Sequence, residues 1–184
     1  MVKVAGNGQA KILTPEELRI LFDDGFTCTR DRALFGICLY TACRVSEALQ
    51  IHTSDVKPSV ILFRKGNTKG KLSTREAPIP PGLVPYLADY RPKTGWYFPG
   101  KRGVRETLGR HAADSVLKTA CKRMGIDGVS THSFRRTALT MMSGAGIPLR
   151  TIQELSGHRD LGVLQKYLEV SPEQVRQAVL TISF

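Results

Sequence analysis

The residues that could do chemistry lie late in the chain. Thr131-His132-Ser133-Phe134-Arg135-Arg136 is followed by a helical run, then Gly157-His158, then Tyr167. Positions three apart share a helix face, so His132 and Arg135 point the same way, and later segments can bring His158 and Tyr167 to them. Such a group suits an anionic ester. A guanidinium braces negative oxygens with paired hydrogen bonds, and imidazoles or a phenol can move protons or attack. A nucleic-acid phosphate is the expected substrate. A second pair, Arg44 and Glu47, has the same spacing within Thr41-Ala42-Cys43-Arg44-Val45-Ser46-Glu47. Taken alone it reads as a surface ion pair worth little to stability.

The elements that must position these residues are mostly helices. Thr14-Pro15-Glu16-Glu17 supplies an N-cap, a first-turn proline and acids, and opens a helix through Leu18, Leu21 and Phe22 that stops near Gly25. A second helix spans 29–41 with a wide apolar face, and a short one carries Val45, Ala48 and Leu49. Val60 to Phe63 and Thr74 to Ile79 read as strands joined by Gly66, Asn67 and Gly70, an antiparallel hairpin whose tip carries Lys65, Lys69 and Lys71. Pro85 is tolerated in the first turn of a helix through Leu87. Trp96-Tyr97-Phe98 reads as a small satellite core, and Lys101, Arg102, Arg105 and Arg110 as a basic loop. Helices then follow over 107–124, closed by Gly125, over 132–145, through Ile152 and Leu155 to Gly157, and over 160–167. The last helix has Ser171 as cap, Pro172 first and Val175, Ala178, Val179 and Ile182 at helical spacing. The fold class is therefore mainly α (α+β), with one small antiparallel sheet.

Bulk composition fits that reading. The 184 residues suffice for one domain, and 27 Lys and Arg against 16 Asp and Glu give a net charge of +11, which favours a polyanionic partner. No apolar run approaches the roughly 20 residues of a membrane span, and residues 1–10 lack a signal-peptide core, so no membrane partner and a cytoplasmic, nucleoid-associated location are expected. The cysteines, Cys28, Cys38, Cys43 and Cys121, form no Cys-x-x-Cys pair and read as buried free thiols, with zinc or a disulfide the lesser reading. The clustered carboxylates of a two-metal nuclease are missing. Cofactors: none expected.

Taken in order, Thr41 to Glu47, a hairpin lysine, His132-Ser133-Phe134-Arg135, Gly157-His158 and Tyr167 resemble the catalytic domain of tyrosine recombinases, the phage integrase family. The interval 167 − 158 = 9 is the family's, and the resemblance runs from Thr14 onward. It departs at Ala42, where the family commonly has glycine, and at Arg136, where histidine is frequent.

The resemblance implies a site-specific DNA recombinase or integrase with a tyrosine recombinase catalytic-core-like fold. Tyr167 would be the nucleophile, forming a 3′-phosphotyrosine and releasing a 5′-hydroxyl without metal or ATP. Arg44, Arg135, His132 and His158 would surround the phosphate, with Glu47 orienting the arginines. A hairpin lysine would protonate the leaving oxygen. Lys69 is the choice, because family lysines usually precede glycine here, and Lys65 and Lys71 remain alternatives. Lys65, Lys71, Arg102, Arg105 and Arg136 are the expected DNA-binding residues.

By the same resemblance, double-stranded DNA is the partner and a homo-oligomer, a tetramer, assembles on it. Residues 1–11 would be a flexible lead-in, 12–170 the catalytic domain, and 171–184 an amphipathic helix exchanged between protomers. The family's N-terminal core-binding domain, which clamps the far side of DNA, is also implied, and the eleven or so residues before the first helix are too few to form it. A type IB topoisomerase-like enzyme shares the chemistry, and a DNA-binding regulator with an unused site shares the charge. Small size and the His158–Tyr167 interval favour recombination.

Overall fold

A computed structural model describes residues 10–67, 74–158, 160–165 and 172–182, with the backbone alone at positions 67, 104, 105 and 174. The helices are α1 (Pro15–Ile20), α2 (Thr29–Tyr40), α3 (Val45–Ala48), α4 (Val84–Asp89), α5 (Arg110–Met124), α6 (Ser133–Gly144), α7 (Leu149–Ser156), α8 (Leu161–Gln165) and α9 (Pro172–Leu180). The strands are β1 (Val60–Phe63), β2 (Arg75–Pro78), β3 (Pro99–Gly100) and β4 (Gly103–Thr107). β1 pairs antiparallel with β2 in the register Val60↔Pro78 to Phe63↔Arg75, and β3 pairs antiparallel with β4.

The mainly helical expectation is met, and the single sheet is corrected to two separate hairpins. The basic loop at Lys101 and Arg102 is the turn of the second hairpin, and β4 ends on Thr107, the residue expected to open the 107–124 helix. Gly109 caps α5 in extended backbone, so the helix starts at Arg110 and ends at Gly125 in the left-handed conformation (φ 65°). At α1 the capping box closes through Thr14 and Glu17, and the helix widens into a π turn over Leu21–Gly25.

The core is built on aromatic contacts. Phe35 of α2 stacks on Phe26 and on Phe134 of α6, both with ring centroids 5.0 Å apart, and Phe22 meets Phe134 edge-on at 6.1 Å. A fully buried Phe of this kind is worth about 1.5–3 kcal/mol of apolar burial. These contacts lock α2 against α6, the two helices whose ends carry the site. Tyr97 and Phe98 join this main core, so the expected satellite core is not separate. A second, smaller core of Ala42, Ala138, Leu139, Ile152 and Leu164 holds α6, α7 and α8 to the end of α2. Ahead of α1, the Leu13 amide donates to Thr137 Oγ1 at 2.8 Å and ties the incoming chain to α6. Residues 1–9 of the expected lead-in lie outside the described residues.

Candidate active site

The site forms where three chain reversals meet. α2 stops at Thr41, whose hydroxyl donates back to the Ile37 carbonyl at 2.7 Å, and Ala42 turns the chain with φ +49°. A side chain in that region costs about 1–2 kcal/mol, which is the physical reason for a glycine preference at this position. The turn aims the Ala42 carbonyl at α6 and starts α3 from Arg44. α7 stops at Gly157, whose left-handed backbone (φ +68°) folds His158 back under the helix end. The third reversal lies before α6, where the Ser130 amide donates to Ser133 Oγ at 3.0 Å and leaves His132 just ahead of the helix.

Arg135 lies at the centre and is 2 % exposed. Its Nη1 donates to the carbonyls of Ala42 at 2.5 Å and Ser156 at 3.0 Å. Its Nη2 lies 3.0 Å from Nε2 and 3.1 Å from Nδ1 of His158. Ser156 Oγ is 2.7 Å from His158 Nδ1 and clamps the ring. Burial, reinforced by Arg135, Arg44 and Arg75, pushes the His158 imidazole down to about 3. The ring is therefore neutral at physiological pH and can accept from Arg135. Burial and then Arg44 lower the Arg135 guanidinium to about 10, so it remains charged. His132 is exposed, and desolvation, Arg135 and Arg44 hold its imidazole below the usual value.

Arg44 completes the ring of charge. Its Nη1 donates to Glu47 Oε1 at 2.8 Å, and its backbone amide donates to Oε2 at 3.0 Å. Glu47 is 3 % exposed and Arg44 half-buried, so the pair is anchored on a buried carboxylate, correcting the surface reading. A carboxylate there fixes the Arg44 side chain against α3.

Sequence reasoning missed Arg75 on β2. Its Nη2 reaches Glu47 Oε2 at 3.3 Å, its Nη1 donates to the carbonyls of Leu155 and, at 3.4 Å, Thr41, and its guanidinium carbon sits 4.3 Å above the Phe63 ring. The signal was strand periodicity. Arg75 and Ala77 share a face, and Ala77 is fully buried, so Arg75 had to point inward too.

The structure thus brings Arg44, Glu47, His132, Arg135 and His158 together, with Arg75 added. Lys69, Lys71 and Tyr167 lie outside the described residues, as does the Arg105 side chain. Lys65 and Arg102 are exposed, at the ends of their hairpins. Arg136, expected on a DNA-facing surface, is 8 % exposed and donates to the Ala10 carbonyl at 2.5 Å. It is corrected to a residue that ties the incoming chain to α6. Cys38, Cys43 and Cys121 are free and buried, and Cys28 is free but exposed, against the buried reading. Among the described residues no group of three or more His, Cys, Asp or Glu is arranged to hold a metal, and no helix is long and apolar enough to cross a membrane.

Three guanidiniums, one carboxylate and two imidazoles leave this site with a net positive charge when the imidazoles are neutral. It can hold an anion and stabilise charge growing on it.

Comparisons with known proteins agree. The profile of the phage integrase family matches residues 11–174. Tyrosine recombinase XerD of Mycobacterium tuberculosis is 33 % identical over 165 residues, covering 84 % of this chain and 52 % of that protein. Tyrosine recombinase XerC of Staphylococcus saprophyticus is 30 % identical over 178 residues, 90 % of this chain and 59 % of its own. The chain spans about half to two thirds of the length of such curated relatives. In fold it is similar to the crystal structure of XerA recombinase, with a TM-score of 0.77 at 23 % identity over 94 % of this chain and 66 % of that one. It is also similar to XerH site-specific recombinase bound to its difH substrate, with a TM-score of 0.72 at 20 % identity over 91 % and 53 %.

Proposed function

The chain belongs to the phage integrase family, and from that premise we propose that it is a site-specific tyrosine recombinase that cleaves and rejoins double-stranded DNA through a covalent 3′-phosphotyrosine. The observation that carries this reading is the convergence of Arg44 and Arg135 with His132 and His158 around one positively charged site. XerH, of similar fold, is described bound to its difH substrate, and the Tn1549 transposon integrase, also of similar fold, in complex with a circular intermediate DNA, which supports DNA as the ligand here.

In this reading the scissile phosphate lies between Arg44 and Arg135. Attack concentrates charge on the non-bridging oxygens, and the two guanidiniums meet it with charge-assisted hydrogen bonds. His158, its ring clamped by Ser156 Oγ, hydrogen-bonds the same phosphate when Arg135 Nη2 turns from the ring to the ester. His132, neutral and close to both arginines, accepts the Tyr167 proton as the phenolate forms. Lys69 protonates the departing 5′-oxygen. The phosphotyrosine conserves the ester bond, so the 5′-hydroxyl of another strand can attack it and restore DNA.

Lys65, Lys71, Arg102 and Arg105 serve as phosphate contacts around this site. The protein works as a tetramer on DNA. Its α9, whose Val175, Val179 and Leu180 are exposed, docks on the neighbouring protomer and couples the active sites. The reading is tested by digesting the covalent product of a nicked suicide duplex and locating the modified peptide. A 3′-phosphoryl link at Tyr167 is expected. Linkage to another residue, a 5′-link or DNA binding with no adduct would overturn it, the last pointing to a DNA-binding regulator.

A further inference from the structure

We propose that Arg75 is a positioning residue for this site. It acts through the Glu47 carboxylate and through the backbone on either side of Arg44, Arg135 and His158, and touches no substrate atom. The proposal rests on the recombinase reading above.

Its partners come from three separate segments. Thr41 and Glu47 flank Arg44, and Leu155 precedes Ser156, whose carbonyl holds Arg135 and whose hydroxyl holds His158. Phe63 belongs to β1, so the same guanidinium ties the hairpin to both other segments. Only a planar fork of N–H groups reaches acceptors in that many directions. The Arg75 side chain is 9 % exposed, which keeps it out of the DNA surface.

The charge matters as much as the reach. Glu47 sits between Arg44 and Arg75, with Oε1 on the Arg44 side chain and Oε2 shared by the Arg44 amide and Arg75. Without Arg75, the buried carboxylate has one fewer cation and draws Arg44 toward itself and away from an incoming phosphate. Burial disfavours the charged form of Arg75. A methionine would fill the space without that cost, so a charge kept here is better explained by the site than by packing.

The test uses the whole chain and compares Arg75→Met, Arg75→Lys, Glu47→Gln and Glu47→Gln/Arg75→Met, each below its own melting midpoint. Single-turnover adduct formation on a nicked suicide duplex at saturating DNA is measured beside Kd as a function of salt. Arg75→Met is expected to slow adduct formation about 10–100-fold, as loss of an orienting partner does. Its Kd should stay within about threefold of wild type, with the salt slope unchanged. Arg75→Lys should recover part of the rate. On the Glu47→Gln background, the further loss should shrink to within about threefold, because both changes act through one carboxylate. Should Arg75→Met fail to fold, Arg75→Lys on the two backgrounds makes the same comparison. An unchanged rate, a salt slope lower by about one, or losses that multiply in the double variant would overturn the proposal. No adduct from wild type would instead sink the recombinase reading itself.

Discussion

The surroundings of Arg135 and the apolar side of α9 stand at opposite ends of the scale of burial. Arg135 is 2 % exposed and bound to two carbonyls and an imidazole of its own chain, whereas Val175, Val179, Leu180 and Ile182 are 57–69 % exposed. The first region is held by hydrogen bonds within its own chain, so its dipoles need little reorganisation when charge develops. The second offers an apolar face at the surface, as docking elements do. On the proposed reading chemistry belongs to the one and assembly to the other, so perturbing each should move different observables.

The largest effect should come from Arg135→Ala. On the proposed mechanism, loss of this buried guanidinium removes a brace of the reacting phosphate and should slow adduct formation by about 10³-fold or more, read in single turnover. Near-normal cleavage would separate Arg135 from the chemistry. Removing 171–184 should leave the melting midpoint within about 2 °C while assembly on DNA, followed by gel shift or sedimentation, falls about tenfold or more. Equal assembly by the truncated chain would erase the proposed division of labour.

His158 gives a pH signature confined to the buried region. Its pKa is held near 3 in the fold, below the unfolded value of about 6.5, so the unfolded chain binds the extra proton between those values. The stability linked to neutral His158 is complete above about pH 6.5 and is lost as pH falls toward 3. His158→Gln should therefore flatten the fall in melting midpoint over that window. A parallel fall in both proteins would place the acid sensitivity elsewhere. The smallest effect should be that of Ala42→Gly. Relief of the left-handed backbone competes with greater chain entropy and a lost methyl in the small core, so stability should rise by no more than about 1 kcal/mol, with cleavage unchanged. A loss above that in denaturant melts would show the methyl to matter more than the strain.

Much of this was legible in the sequence because the signals were local. Caps and glycine stops placed α1, α7 and the end of α5, a wide apolar face placed α2, and the His132–Arg135 and Gly157-His158 spacings survived into three dimensions. The second hairpin was not legible, because Pro99-Gly100 and Gly103 carry no alternating apolar pattern. Arg136 was misread for want of a burial signal. It follows Arg135 directly, and the chain at residues 10–13 crosses α6 beside it. Arg75 was missed for the opposite reason, since a cation near a lysine-rich tip reads as one more surface charge until strand register turns it inward.

Whether the charged site serves a tyrosine nucleophile is decided by comparing wild type with Tyr167→Phe on a nicked suicide duplex at equal DNA occupancy. Wild type should accumulate a covalent protein–DNA product and Tyr167→Phe none, with the two binding the duplex equally. A covalent product from Tyr167→Phe, or none from wild type, would contradict the account.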